Sequence, residues 1–141
     1  MKSAIVLSSH TVGLNVIRSL GSMKVPVVSV YYDKADMGYV SKYVKDRYYA
    51  PHPEKHEREF LELLKSLDTK YHGAVLIPAD DATLSTVSRN RSALEPLYTV
   101  ACPHWSVVRT IIDKKYTYEL AKSAGIATPK TYAPASAQDA H

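Results

Sequence analysis

Short runs of continuous apolar residues, alternating with stretches of helical period, constrain the fold of this chain more than any other feature. Ile5-Val6-Leu7 reads as a buried strand, and a polar turn leads from it to a helix opening near Gly13. Leu14, Ile17 and Leu20 give that helix one apolar stripe, and Gly21 suits its carboxyl end. Val27 to Tyr31 is a second, β-branched strand, and Asp46 to Ala50 a weaker third, closed by Pro51 and Pro53. From Glu54 to Leu67 the residues Phe60, Leu63, Leu64 and Leu67 recur at i, i+3, i+4 and i+7, the spacing of an amphipathic helix. Ala74 to Ile77 is a fourth strand stopped by Pro78. Asp81 is placed to cap the next helix, whose Leu84, Val87 and Leu94 face inward with a break at Arg91. Leu97 to Val100 is a fifth strand, and two helical stretches follow, about 106–112 and 114–124, with Gly125 ending the second. Alternation of this kind predicts an α/β fold, an open parallel sheet of about five strands with helices on both faces. Open sheets of this class bind ligands beyond the carboxyl ends of their strands, which singles out Ser8 to Gly13, Tyr32-Asp33 and Ala79 to Asp81.

Composition narrows the class further. The length of 141 residues suits one ordinary domain, and 45% hydrophobic with 23% charged residues is an average globular balance. Disordered, collagen-like and disulfide-scaffold classes are excluded. No apolar run approaches the roughly eighteen residues of a membrane span. The first apolar run, Ala4 to Leu7, is broken at once by Ser8-Ser9-His10-Thr11, too short for a secretory signal. Cys102 is the only cysteine, which rules out an internal disulfide and a cysteine zinc site and makes the cytoplasm the expected compartment. The net charge of +4 is spread out: Lys42, Lys45, Arg47, Lys55 and Arg58 are interleaved with Asp46, Glu54, Glu57 and Glu59, as on a solvated face. Eleven tyrosines fit strand ends with hydroxyls reaching solvent better than base stacking, so no nucleic-acid or membrane partner is expected.

The first strand–helix turn is the obvious place for a phosphate. A dinucleotide fingerprint would place G-x-G-x-x-G there, with an acid roughly twenty residues on. The chain has Ser8-Ser9-His10-Thr11-Val12-Gly13, with Asp33 downstream, so only the glycine for helix–strand packing is present. His10 occupies the place where backbone would touch a pyrophosphate, which argues against tight NAD or FAD binding. Ser8, His10 and Thr11 either meet a small polar ligand at the helix start or serve as turn and cap. Asp80-Asp81 lacks the acidic partners after the first strand that a magnesium site needs, so Asp81 reads first as a cap and second as a substrate contact. No phosphate-loop lysine pattern, no metalloprotease histidine spacing and no serine-hydrolase elbow occurs.

The segment from Asp113 to Thr131 is more specific. It begins with a cap and lysines in the first helical turn, continues as a small-residue helix, and ends in Gly125-Ile126-Ala127-Thr128-Pro129. A cation at a helix amino terminus opposes the helix dipole, a cost that bound phosphate would offset. The pattern Asp-Lys, ten residues, Gly-Ile-x-x-Pro resembles the junction between the leading domain and the ATP-grasp domain proper in the ATP-grasp superfamily. Gly13 to Gly21 followed by Val25-Pro26-Val27-Val28 resembles the first helix and second strand of that leading domain. Ile77-Pro78-Ala79-Asp80-Asp81 running into Ser88 to Ser92 resembles its fourth unit in the carboxylate–amine ligase branch.

The resemblance implies a Rossmann-like leading domain over residues 1–126, with 127–141 the linker or start of an ATP-grasp domain. It implies a parent enzyme that uses ATP and Mg2+ to activate a carboxylate as an acyl phosphate, captured by an amine or thiol. The fragment alone is expected to be inactive and to bind no cofactor tightly. Lys114 corresponds to the lysine that contacts nucleotide phosphates in biotin carboxylase-like relatives. Ser8, His10, Thr11, Gly13, Asp80 and Asp81 are the expected substrate-side residues, although Ser8 and His10 stand where glycines are common. The expected partners are small-molecule carboxylate and amine substrates, with room for a homodimer. The alternative is a stand-alone module that binds a nucleotide or small metabolite through the 8–13 turn and Asp33.

Overall fold

The computed structural model describes residues 2–130. Five strands, β1 (Ala4–Leu7), β2 (Val27–Tyr31), β3 (Val44–Tyr49), β4 (Val75–Pro78) and β5 (Thr99–Val100), form one sheet in the order β3-β2-β1-β4-β5. Every pairing is parallel, with Ile5 opposite both Val28 and Leu76. Central β1 is buried along its whole length, which is why its four residues need no alternation. Edge strand β3 does alternate, and its exposed Lys45 and Arg47 guard the open edge. Lys45 is also the extra residue of an irregularity in the β2–β3 pairing: Val27 faces Val44 and Val28 already faces Asp46.

Helices cover both faces. Ile5, Leu7, Val28, Val30 and Leu76 pack under Phe60, Leu64 and Leu67 of α2 (Glu57–Tyr71), Val87 of α3 (Asp81–Arg89) and Leu94 of α4 (Arg91–Leu94). Full burial of side chains such as Phe60 and Leu64 contributes about 1.5–3 kcal/mol each, so this face carries most of the stability. On the other face Val6 and Val27 meet Ile17 of α1 (Thr11–Ser22), with Val16, Leu20 and Tyr43 around them.

Several boundaries differ from the expectation for local reasons. The helix after β3 begins at Glu57, not Glu54, because the His52 ring accepts the Glu54 amide at 3.2 Å and holds 53–56 as a turn. β5 starts at Thr99, since Leu97 and Tyr98 give their amides to Leu94 O at 3.0 and 2.9 Å and finish α4 first. Gly21 does not stop α1. The helix runs to Ser22, Lys24 takes the left-handed turn at φ 63°, and Gly21 is needed because a Cβ there would lie 2.3 Å from Tyr43. The connection from β2 to β3 has only a single 3-10 turn, Gly38–Val40, where a helix would be usual.

The chain divides into two compact units, 1–109 and 110–141, with α5 (Trp105–Ile112) running across the division. In the second unit Asp113 caps α6 (Lys114–Ser123) by accepting the Lys115 amide at 2.9 Å, and Gly125 follows the helix at φ 72°. Residues 131–141 of the expected linker lie outside the described residues. No helix among the described residues is long and apolar enough to cross a membrane.

Candidate functional site

The strand order reverses between β1 and β4, so the crevice that open parallel sheets offer to ligands lies past Leu7 and Pro78. Two strand–helix turns line it. In the β1–α1 turn Ser8 adopts φ 77°, a left-handed conformation that costs a non-glycine residue on the order of 1 kcal/mol or more. Its amide is fixed to Val30 O at 2.9 Å. Ser9 points inward, is fully buried, and shares a hydrogen bond with the Ser29 hydroxyl. That inward turn leaves His10 and Thr11 exposed at the start of α1. His10 is the N-cap but its side chain makes no capping bond. Gly13 is required by distance: a Cβ would sit 2.1 Å from Ser8 O. This is the helix–strand packing role expected of that glycine.

The β4–α3 turn is built differently. Asp80, and not Asp81, is the N-cap of α3, which corrects the expectation for Asp81. Asp80 accepts the Thr83 amide at 2.8 Å and the Thr83 hydroxyl at 2.7 Å, while its own amide reaches that hydroxyl at 3.4 Å, a reciprocal capping box. Asp81 has no such residue three positions on, where Leu84 stands, and it becomes the first, exposed residue of the helix. The second carboxylate oxygen of Asp80 accepts the Tyr32 hydroxyl, and the Tyr32 ring lies 4.9 Å from that of His52. Burial alone would raise the Asp80 carboxyl. Hydrogen bonds from Tyr32, Thr83 and Ser8 outweigh it and hold the group below its ordinary value. Tyr32 is pushed well up by burial and by the neighbouring carboxylate. Asp80 thus presents a fixed, fully engaged anion under the crevice, linked to Ser8.

Ser8, His10, Thr11, Gly13, Asp80 and Asp81 therefore all come from the two turns at the switch point. Lys114 belongs to the second unit, where it is the exposed first residue of α6. Residues that sequence reasoning missed are Asp36, Ser29 and Gly38. Asp36 is nearly buried and accepts the Ser9 amide at 3.1 Å across 27 residues of sequence. No local spacing announces such a pair; the only sequence signal is the run of acids Asp33 and Asp36 just after β2. Among the described residues no three His, Cys, Asp or Glu side chains converge as a metal site.

The sequence matches no protein-family model and no curated protein. Solved structures do match. L-amino acid ligase from Bacillus licheniformis superposes with a TM-score of 0.69 at 13% identity, over 92% of this chain and 32% of that one. The biotin carboxylase subunit of pyruvate carboxylase gives 0.61 at 18% identity, over 99% and 32%. N5-carboxyaminoimidazole synthetase from Staphylococcus aureus, complexed with ADP, gives 0.59 at 15% identity, over 89% and 31%. The chain spans about a third of the length of each. At these identities the likeness shows the fold: the open parallel α/β sheet of this chain is shared with about a third of each of these proteins.

Proposed function

We propose that the chain is the leading domain of an ATP-dependent ligase of the ATP-grasp type, one that joins a carboxylate to an amine or thiol through an acyl phosphate. The observation that carries the proposal is the extent of the match: 92% of this chain against 32% of an amino acid ligase. In the parent protein, ATP with Mg2+ would phosphorylate the carboxylate, ADP would leave, and the nucleophile would displace phosphate from the acyl carbon. The nucleotide clamp and the metal ligands would come from beyond residue 126, and residues 1–126 would support the cleft and one substrate.

Within this chain, Lys114 would meet a nucleotide phosphate. It stands exposed at the amino end of α6, where a cation is unfavourable until an anion arrives. The two switch-point turns would hold a substrate. Exposed His10 and Thr11 would present an imidazole and a hydroxyl to the crevice, Gly13 lets α1 start close to the sheet, and Asp80 with Tyr32 would fix the opposite wall. Asp81, exposed beside Asp80, would reach substrate more freely than its neighbour.

The test uses the natural polypeptide that contains these residues, MgATP, and a panel of amino acids carrying 18O in the carboxylate. The proposal expects 18O to pass into inorganic phosphate, since an acyl phosphate cleaves with a substrate oxygen retained on phosphorus. Phosphate free of label in the presence of demonstrable product would reject the acyl-phosphate route. In the same protein Lys114→Ala should weaken ATP binding roughly tenfold or more, the loss of one charged hydrogen bond. Unchanged ATP affinity would remove Lys114 from the phosphate site.

A further inference from the structure

The β2–β3 connection, residues 32–43, grips α1 at both of its ends. At the far end the Tyr43 ring fills the space where Gly21 has no Cβ. At the near end it takes both backbone groups of Ser9. The Ser9 amide donates to Asp36 Oδ2 at 3.1 Å, and the Ser9 carbonyl accepts the Gly38 amide at 2.9 Å. Gly38 must be glycine for this approach, because a Cβ would stand 2.6 Å from Ser9 O. Ser9 is the residue directly between strained Ser8 and the exposed His10, so its two backbone bonds decide where both neighbours point. Nothing within the turn caps the helix, since α1 lacks a side-chain cap and Ser8 is not a glycine; β2 holds the Ser8 amide through Val30 O and the Ser9 hydroxyl through Ser29, and residues 36–38 take the Ser9 backbone.

We propose that residues 36–38 are a clasp that fixes the β1–α1 turn in its ligand-binding form, with Asp36 as the positioning residue for Ser8, His10 and Thr11. The inference rests on the substrate role of that turn proposed above. The placement of Asp36 supports it, since a carboxylate is held there against its own preference. Burial pushes the group up, the Ser9 amide partly reverses the rise, Asp33 and Asp80 add to it, and His10 opposes it.

Residue-resolved amide exchange on the 141-residue chain tests the clasp. Asp36→Ala should speed exchange at Ser8 and Ser9 at least about tenfold while the amides of α2 keep their protection. Asp36→Asn keeps an oxygen for the Ser9 amide and should stay within about threefold of the parent. If Asp36→Ala does not fold, Gly38→Ala pushes on the Ser9 carbonyl from the same clasp and must give the same local loss. Unchanged exchange at Ser8 and Ser9, or an equal rise everywhere, would overturn the proposal. Kinetics of the parent ligase separate it from the reading on which it rests. The clasp acting on a substrate turn predicts a higher KM for the carboxylate or amine in Asp36→Ala, an unchanged KM for ATP, and rescue in Asp36→Asn. Faster exchange with no change in either substrate KM would mean that the clasp is real and the turn does not bind substrate.

Discussion

The two strand–helix turns that face each other across the switch point solve the same problem by opposite means. After β4, the start of α3 has its own capping box, in which Asp80 and Thr83 cap each other, and Tyr32 from just past the end of β2 takes the remaining oxygen. After β1, the start of α1 has no side-chain cap, a left-handed serine, and an imidazole left in solvent. Its shape is imposed from outside, by the glycine that lets α1 press on Ser8 and by the 36–38 segment that takes Ser9. The Asp80 turn, with its carboxylate fully engaged, makes a rigid wall. The β1–α1 turn spends the polar groups of Ser9 on the fold but leaves the side chains of His10 and Thr11 exposed, and those are the ones available to a ligand.

The largest expected effect breaks the external support. Gly13→Ala forces a methyl to 2.1 Å from Ser8 O, and either the turn or α1 must move. Destabilisation upwards of about 3 kcal/mol is expected, read as the shift of a urea midpoint with unchanged m-value. A loss below about 1 kcal/mol would mean that the turn relaxes easily and is not held as described.

Next comes the internal support. Asp80→Ala removes the cap and leaves the Tyr32 hydroxyl unpaired, for a loss of about 1–3 kcal/mol at neutral pH. The pH dependence carries a sign. Because the folded Asp80 carboxyl lies below its ordinary value, its stabilisation is fully present above the unfolded value and is lost as pH falls through the folded one. Acid titration of stability below about pH 4 should therefore be shallower in Asp80→Asn than in the parent chain. Identical acid slopes would remove Asp80 from the groups that tie stability to pH.

These two turns also show what could be read from the chain alone. Strand runs such as Ile5-Val6-Leu7 and the Phe60 to Leu67 stripe were legible because burial on a sheet or a helix face writes a local period. The cap of α6 at Asp113 and the Gly125 stop were legible for the same reason, since both act within one helical turn. Choosing Asp80 over Asp81 needed the residue three positions on: Thr83 can return a bond and Leu84 cannot. That signal was present and local. The roles of Gly21, Gly38 and Asp36 were not, because Tyr43 and Ser9 reach them only through the folded crossover. Nothing in a single sequence marks a residue whose partner lies across the sheet.

The smallest effect sharpens the comparison most finely. His10→Ser supplies the cap that α1 lacks, and a gain of about 0.5–1 kcal/mol in stability is expected by thermal melting. If the proposed ligase reading holds, the same variant of the natural polypeptide should lose substrate affinity, since the imidazole assigned to substrate is removed. Greater stability with undiminished turnover would make His10 a missing cap and nothing more.

The most direct test of the central claim compares two proteins in one assay: the natural polypeptide that contains these residues and the 141-residue chain by itself. Each is given MgATP with amino acids as both carboxylate and amine, and ADP is followed. The account predicts ADP release by the natural polypeptide only when carboxylate and amine are both supplied, and none by the isolated chain. Saturable sub-millimolar nucleotide binding by the isolated chain, with no substrate-dependent ADP from the natural polypeptide, would contradict it and make the domain a binding module in its own right.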